Sequence, residues 1–157
     1  MITRSVESWL QAPLQQFVED ARVTIALLLL PSGQVLAEHG FTRSLDVASA
    51  CALAAAIHAS GAELGRMLGG RPFSGLHHAG QDRQIFLAEA RTPRGTYIFL
   101  SAFDRESSIG LVRLYFDEFA ARLAAAEPRS EPESTPVLAE NFERDLNRNL
   151  AALFGRA

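Results

Sequence analysis

The sequence predicts an α/β (α+β) protein: a five-stranded antiparallel sheet with helices on both faces, ordered α-β-β-α-β-β-β-α, then a linker and a C-terminal helix. Three observations carry that reading. An apolar run at 23–30 is followed by turn chemistry and a returning strand. Two firm strands at 84–90 and 96–103 flank Thr92-Pro93-Arg94-Gly95. Helical periodicity occupies 2–19, 44–68 and 109–126. A hairpin plus helix followed by three consecutive strands fits one antiparallel sheet.

Residues 2–19 carry Val6, Leu10, Leu14 and Phe17 at helical spacing with polar residues between, which predicts one amphipathic helix. Pro13 inside it predicts a kink, or a restart with the proline in the first turn. Trp9 lies at the edge of the stripe. The run 23–30 is short and apolar throughout, as a strand covered on both faces should be. Pro31-Ser32-Gly33 turns the chain, and 34–39 returns it to Gly40.

The helix 44–68, capped by Ser44 or Asp46, organises the rest. Leu53, Ile57, Leu64 and Leu68 form a stripe expected to lie on the sheet. Ala48, Ala52, Ala55, Ala56 and Ala59 are turned away from it, and no charged residue stands between Asp46 and Glu63. Two explanations compete: alanine as the best helix former, or a smooth uncharged face that a second protein covers.

Gly69-Gly70 stops the helix. After a loop at 71–74, residues 75–80 form a short strand expected at a sheet edge, where two copies could join and remove the open edge. Ser107 or Ser108 caps a helix whose apolar residues are Ile109, Val112, Phe116, Phe119, Leu123 and Ala126, alternating by three and four. Proline, glutamate and serine crowd 127–136, a linker composition. A stripe of Leu138, Phe142, Leu146, Leu150 and Leu153 then marks a helix that is marginal alone in water and needs a surface. The expected units are a domain at 1–126, a flexible linker at 127–136 and an amphipathic helix at 137–157.

Composition narrows function. A net charge of -3 offers no footprint for nucleic acid. The single Cys51 excludes an internal disulfide and reads as a buried, inert thiol. The N-terminus lacks signal-peptide organisation, and the apolar stretch 25–31 is far short of the roughly 20 residues of a membrane span. A cytoplasmic protein without membrane insertion is expected.

Catalytic chemistry finds no foothold. His77 and His78 are adjacent on a strand and point to opposite faces, so they do not share a metal. His58, on the long helix, is either solvated or a partner contact. Neither a nucleophile elbow nor a phosphate loop is present. The expectation is a non-enzyme without cofactor or metal.

Several stretches then resemble a known family. Phe103-Asp104-Arg105-Glu106-Ser107-Ser108-Ile109-Gly110-Leu111-Val112-Arg113-Leu114 looks like the strand-to-third-helix junction of roadblock/dynein-light-chain domains, relatives of the longin and profilin-like folds. The hairpin 27–37 with its Ser32-Gly33 turn and the turn His78-Ala79-Gly80 fit as well. The resemblance spans 3–126. The linker and a last helix ending Leu153-Phe154-Gly155 make the chain most similar to the bacterial MglB group. In mid-helix, 55–59 reads Ala-Ala-Ile-His-Ala where that group tends to an Ala-Gly-Asn-like stretch.

The resemblance implies a homodimer whose sheets join and whose long helices form a docking platform. It implies a small Ras-like GTPase as partner, of the MglA kind, whose hydrolysis or exchange the dimer modulates without a catalytic residue of its own, in cell polarity or motility. The positions implied for the GTPase interface are Ala52, Ala55, Ala56, His58, Ala59, Glu63 and Arg66. Those for the C-terminal helix contact are Phe142, Leu146, Leu150 and Phe154, and the dimer edge is Leu76, His77 and His78. Two alternatives remain: a PAS- or GAF-like small-molecule sensor, and a dimerisation module that binds no GTPase.

Overall fold

The computed structural model describes residues 2–40, 42–129 and 135–154, and their side chains except those of 2, 135–143 and 154. The strands are β1 (Ile2–Ser5), β2 (Ile25–Leu29), β3 (Val35–Gly40), β4 (Gly75–Ala79), β5 (Gln84–Thr92) and β6 (Gly95–Phe103). The helices are α1 (Gln11–Ala21), α2 (Val47–Met67), α3 (Ile109–Ala126) and α4 (Thr135–Phe154). The strands form one antiparallel sheet in the order β1-β3-β2-β6-β5-β4.

The sheet has six strands where the sequence predicts five, and residues 2–19 are not one helix. Ile2 to Ser5 pair with β3, from Ile2↔Gly40 to Ser5↔Ala37. The chain continues along β3 to Val6, whose N–H donates to the Leu36 carbonyl. A short 3-10 turn at Ser8–Leu10 then leads into α1, which starts at Gln11 with Pro13 in its first turn, where the missing N–H is harmless. Leu10, Leu14 and Phe17 are buried as their spacing predicts, whereas Val6 is exposed.

One face of the sheet carries α1 and α3 over an aromatic core. Phe17 meets Phe99 edge-on at 4.7 Å, and Phe99 packs on Phe119 at 5.0 Å. Ala26 to Leu29 of β2 are fully buried, as a strand covered on both sides requires. The opposite face carries α2 alone. Its layer is Leu27, Leu29, Leu87 and Ile98 of the sheet beneath Cys51, Ala54 and Ala55 of the helix.

The faces of α2 are the reverse of the expected ones. The leucine stripe does not lie on the sheet: Leu53 is 65%, Leu64 51% and Leu68 71% exposed, and Ile57 is also exposed. The buried face is small, made of Cys51, Ala54, Ala55, Ala62 and Gly65. Small side chains let the helix backbone come close to the sheet and to its own following loop. A Cβ placed on Gly65 would stand 2.8 Å from both the Arg71 carbonyl oxygen and the Phe73 nitrogen. A Cβ on Gly33, which sits at φ +91, would stand 3.3 Å from the Ala52 Cα. The Asp46 side chain caps the helix by accepting from the Ser49 N–H, and a hydrogen bond from the Ser49 hydroxyl, with that N–H second, holds its carboxyl below the usual carboxylate range.

Two polar anchors tie the ends of the fold together. Glu127, just past α3, is buried: it accepts hydrogen bonds from the Thr92 hydroxyl, the Arg94 N–H at 3.0 Å and the Tyr97 hydroxyl at 3.0 Å. It thereby fastens the end of α3 to the β5–β6 turn. His39 is buried and hydrogen-bonded to the Thr3 hydroxyl, linking β3 to β1.

Within the predicted linker, 130–134 lie outside the described residues, while Thr135 and Pro136 already belong to α4. Residues 144–153 of α4 are exposed throughout, including Leu146 and Leu150. The side chains of Phe142 and Phe154 lie outside the described ones, as does Gly155.

Candidate functional site

The outward side of α2, together with strand β4, leaves large apolar side chains exposed. About 100° separates successive helix residues, so the exposed stripe Leu53, Ile57, Leu64 and Leu68 lies about a third of a turn from the buried face. It lies toward β4, because Ile57 and Gly61 line a shallow apolar depression with Phe73, Gly75, Leu76 and Leu87. Phe73 and Leu76 are themselves 48% and 40% exposed. The result is a continuous apolar band beside the open edge of the sheet. Large aliphatic side chains left in water over such an area are suited to burial against another protein, a ligand or a membrane.

The opposite flank of α2 is different in chemistry. Ala52, Ala56, Ala59, Glu63 and Arg66 are all exposed there, with Glu63 and Arg66 paired at 2.9 Å. Five of the seven residues implied for a GTPase interface therefore share an accessible surface. The other two do not. Ala55 is buried against the sheet, because the helix rests on its small side. His58 is neither solvated nor open to a partner: its Nε2 donates to Glu89 Oε1 at 2.8 Å, with both side chains mostly buried. Glu89 also accepts from Arg91 at 3.0 Å, so the pair clamps α2 to β5.

β4 is one edge of the sheet, as expected of the short strand at 75–80. Leu76 and His78 face the α2 side through Leu87 and Ile85. His77 faces the other side, where its Nε2 donates to Gln84 at 2.7 Å and its ring stacks on Phe103 at 6.2 Å. The two histidines thus point apart. Among the described residues no group of three or more His, Cys, Asp or Glu is placed to hold a metal. Cys51 is fully buried, and burial pushes its thiol up to about 11.

By length and composition α2 also matches a membrane span, contrary to the reading based on 25–31 alone. Its small face is nevertheless packed on the sheet, so only one side presents an apolar surface.

Phe73, Glu89 and Glu127 were not among the residues the sequence singled out. Only Gly65 left a trace of the true packing, being a glycine inside a helix and in line with Ala54 and Ala62.

No protein-family model matches the chain, and no curated protein matches it. Solved structures do. Myxococcus xanthus MglB superposes with a TM-score of 0.69 at 22% identity, over 76% of this chain and 95% of that one. A structure described as MglB with tetrameric arrangement gives 0.65 at 23% identity, over 73% and 84%. A roadblock/LC7 domain from Streptomyces avermitilis gives 0.60 at 20% identity, over 73% and 92%. The chain has the roadblock/LC7 fold, in the form that MglB structures share.

Proposed function

We propose that this protein is a non-catalytic, roadblock-type regulator that acts in the cytoplasm as a homodimer and binds a small Ras-like GTPase of the MglA kind. The observation that carries the reading is the divided surface of α2. Its leucine-rich flank runs into the open β4 edge and suits burial against a second copy. Its alanine-rich flank, with Glu63 and Arg66, stays accessible and suits a docking platform. A regulator of this type needs no reactive group. It modulates nucleotide hydrolysis or exchange by binding one conformation of the GTPase better than another. The exposed stripe of α4 supplies a second contact, either on the GTPase or on the dimer.

The test pairs two substitutions with co-purification of the native cell's MglA-type GTPase. Ala59→Arg is expected to abolish GTPase binding while leaving the dimer and the melting temperature unchanged. Leu64→Arg is expected to yield a folded monomer by light scattering. Normal GTPase binding by Ala59→Arg would refute the platform, and a dimeric Leu64→Arg would refute the assigned dimer flank. A dimer with which no GTPase co-purifies would favour the pure dimerisation module.

A further inference from the structure

The pairing of β4 with β5 leaves a hollow beside α3. Gly75 lies directly opposite Ala88, and opposed residues project to the same side of a sheet. That side is the aromatic core, to which Phe86, Ala88 and Phe116 belong. A hydrogen atom and a methyl group thus stand where two larger side chains would reach up to α3. Backbone crowding does not explain the glycine: a Cβ there would meet the Leu87 carbonyl oxygen at 3.5 Å and the Ala88 Cβ at 3.8 Å, both ordinary contacts. The result is a cleft of about 380 Å³ between β4, β5 and α3, within the size range of small-molecule sites.

Its walls divide by chemistry. The floor is Phe86, Ala88 and Phe116, with the two rings edge-on at 5.3 Å. One rim is α3, whose Arg113 and Asp117 both line the cleft one turn apart. Neither makes an ion pair among the described residues, with the other or with any third group. The arginine-first order is the less favourable one for such a pair along a helix. Further along α3, by contrast, Arg122 pairs with both Asp20 and Glu118 at 3.5 Å. Glu89 adds no second carboxylate to the cleft, because its Oε1 is held by His58 on the α2 side.

A positive and a negative group one turn apart, over an apolar floor, suit a molecule with the same three parts. Cβ atoms at i and i+4 are about 5–6 Å apart, so the two heads can converge on neighbouring charges of one small molecule. A planar guanidinium receives a carboxylate in two parallel bonds, and a carboxylate takes the donors of an ammonium. A simple anion or cation would satisfy one rim group and bring its charge close to the other, which repels it.

We propose that this cleft binds a free α-amino acid with an apolar or aromatic side chain. The carboxylate sits on Arg113, the ammonium on Asp117 and the side chain on the Phe86–Phe116 floor. This adds a ligand-binding role on the face opposite α2, and it goes beyond the regulator reading without resting on it.

Equilibrium dialysis of labelled L-phenylalanine against the full chain tests the site. Saturable retention is expected at concentrations up to about 1 mM, the weak end of ordinary metabolite recognition. Arg113→Gln and Asp117→Asn, at exposed positions that leave the fold unchanged, should each weaken retention about tenfold or more by removing one charge-assisted contact. Gly75→Val should weaken it as much by filling the hollow, with the circular dichroism spectrum and melting temperature kept. Unlabelled hydrocinnamate, which lacks the ammonium, and phenethylamine, which lacks the carboxylate, should each compete about tenfold less well than L-phenylalanine itself.

No retention up to that concentration would overturn the site. Retention unchanged by all three substitutions would put the ligand elsewhere and overturn it equally. Competition by hydrocinnamate or phenethylamine as strong as that by L-phenylalanine would show that only one charge is read, which refutes the amino-acid class.

Discussion

Lengthening Ala54 to leucine tests the reversed orientation of α2 most directly. Ala54 is 2% exposed between the helix and the layer of Leu27, Leu87 and Ile98. Three added carbons have no free volume there, so α2 must lift or the side chain must leave its rotamer well. Overpacking of this kind costs about 1–3 kcal/mol. Ala56, two residues along, is exposed, and the same change there should alter stability by less than about 0.5 kcal/mol. Urea unfolding followed by circular dichroism separates the two. With a slope of about 2 kcal/mol/M, Ala54→Leu should lower the midpoint by roughly 1 M and Ala56→Leu should barely move it. Each titration is run at two protein concentrations, since dimerisation of the kind proposed would add to apparent stability. Equal effects at the two sites, or a larger one at Ala56, would refute the small-side-down packing.

Other outcomes follow from the same geometry. Gly65→Ala should lower the melting temperature by about 3 °C, because the clash with the Arg71 carbonyl and Phe73 nitrogen outweighs the ~1 kcal/mol gain in helix propensity. Gly110→Ala, whose Cβ meets nothing within 4 Å, should not lower it. Glu127→Ala should cost about 2–3 kcal/mol in thermal unfolding, since it leaves the Thr92 and Tyr97 hydroxyls without their acceptor. Burial lowers the His39 pKa from 6.5, against an opposing pull from Glu19 and with a smaller push from the N-terminal amine. The unfolded chain therefore takes up a proton before the folded one does. Stability is expected to hold above about pH 6.5 and to fall below it, and His39→Gln should flatten that part of the pH profile. A profile unchanged by the substitution would remove His39 from the account.

Much of the architecture is legible in the residues because burial leaves a periodic trace. The apolar run 23–30 forecasts β2, the three-four alternation from Ile109 forecasts α3, and the weak strand around His77 lies at the edge. The additional strand β1 escapes for a physical reason: four residues are too few for a period-two pattern, and Val6 happens to extend the helical spacing of Leu10 and Leu14. The facing of α2 escapes for a deeper one. Hydrophobicity ranks leucine above alanine for burial, but the distance between layers ranks small above large. A sequence does not say which criterion governs a given helix. Clamps such as His58–Glu89 and Glu127–Tyr97 join residues about 30 positions apart, with no local signature.

The strand order has a consequence for how the chain reaches its structure. The hairpins β2–β3 and β5–β6 are local, each closed by a short turn. The seam between them, β2 on β6, joins residues 69 (Leu29 and Ile98) to 77 (Ile25 and Ala102) positions apart. Closing that loop is the entropic step that non-local pairing must meet before it is rewarded. During synthesis the first hairpin and α2 thus emerge with their central edge unpaired until β6 follows. A cut in the loop between α2 and β4 would leave two fragments, each with one hairpin and complementary halves of both layers. Their reassociation rate would report on that seam together with the α1–α3 and α2–β5 packing that closes with it.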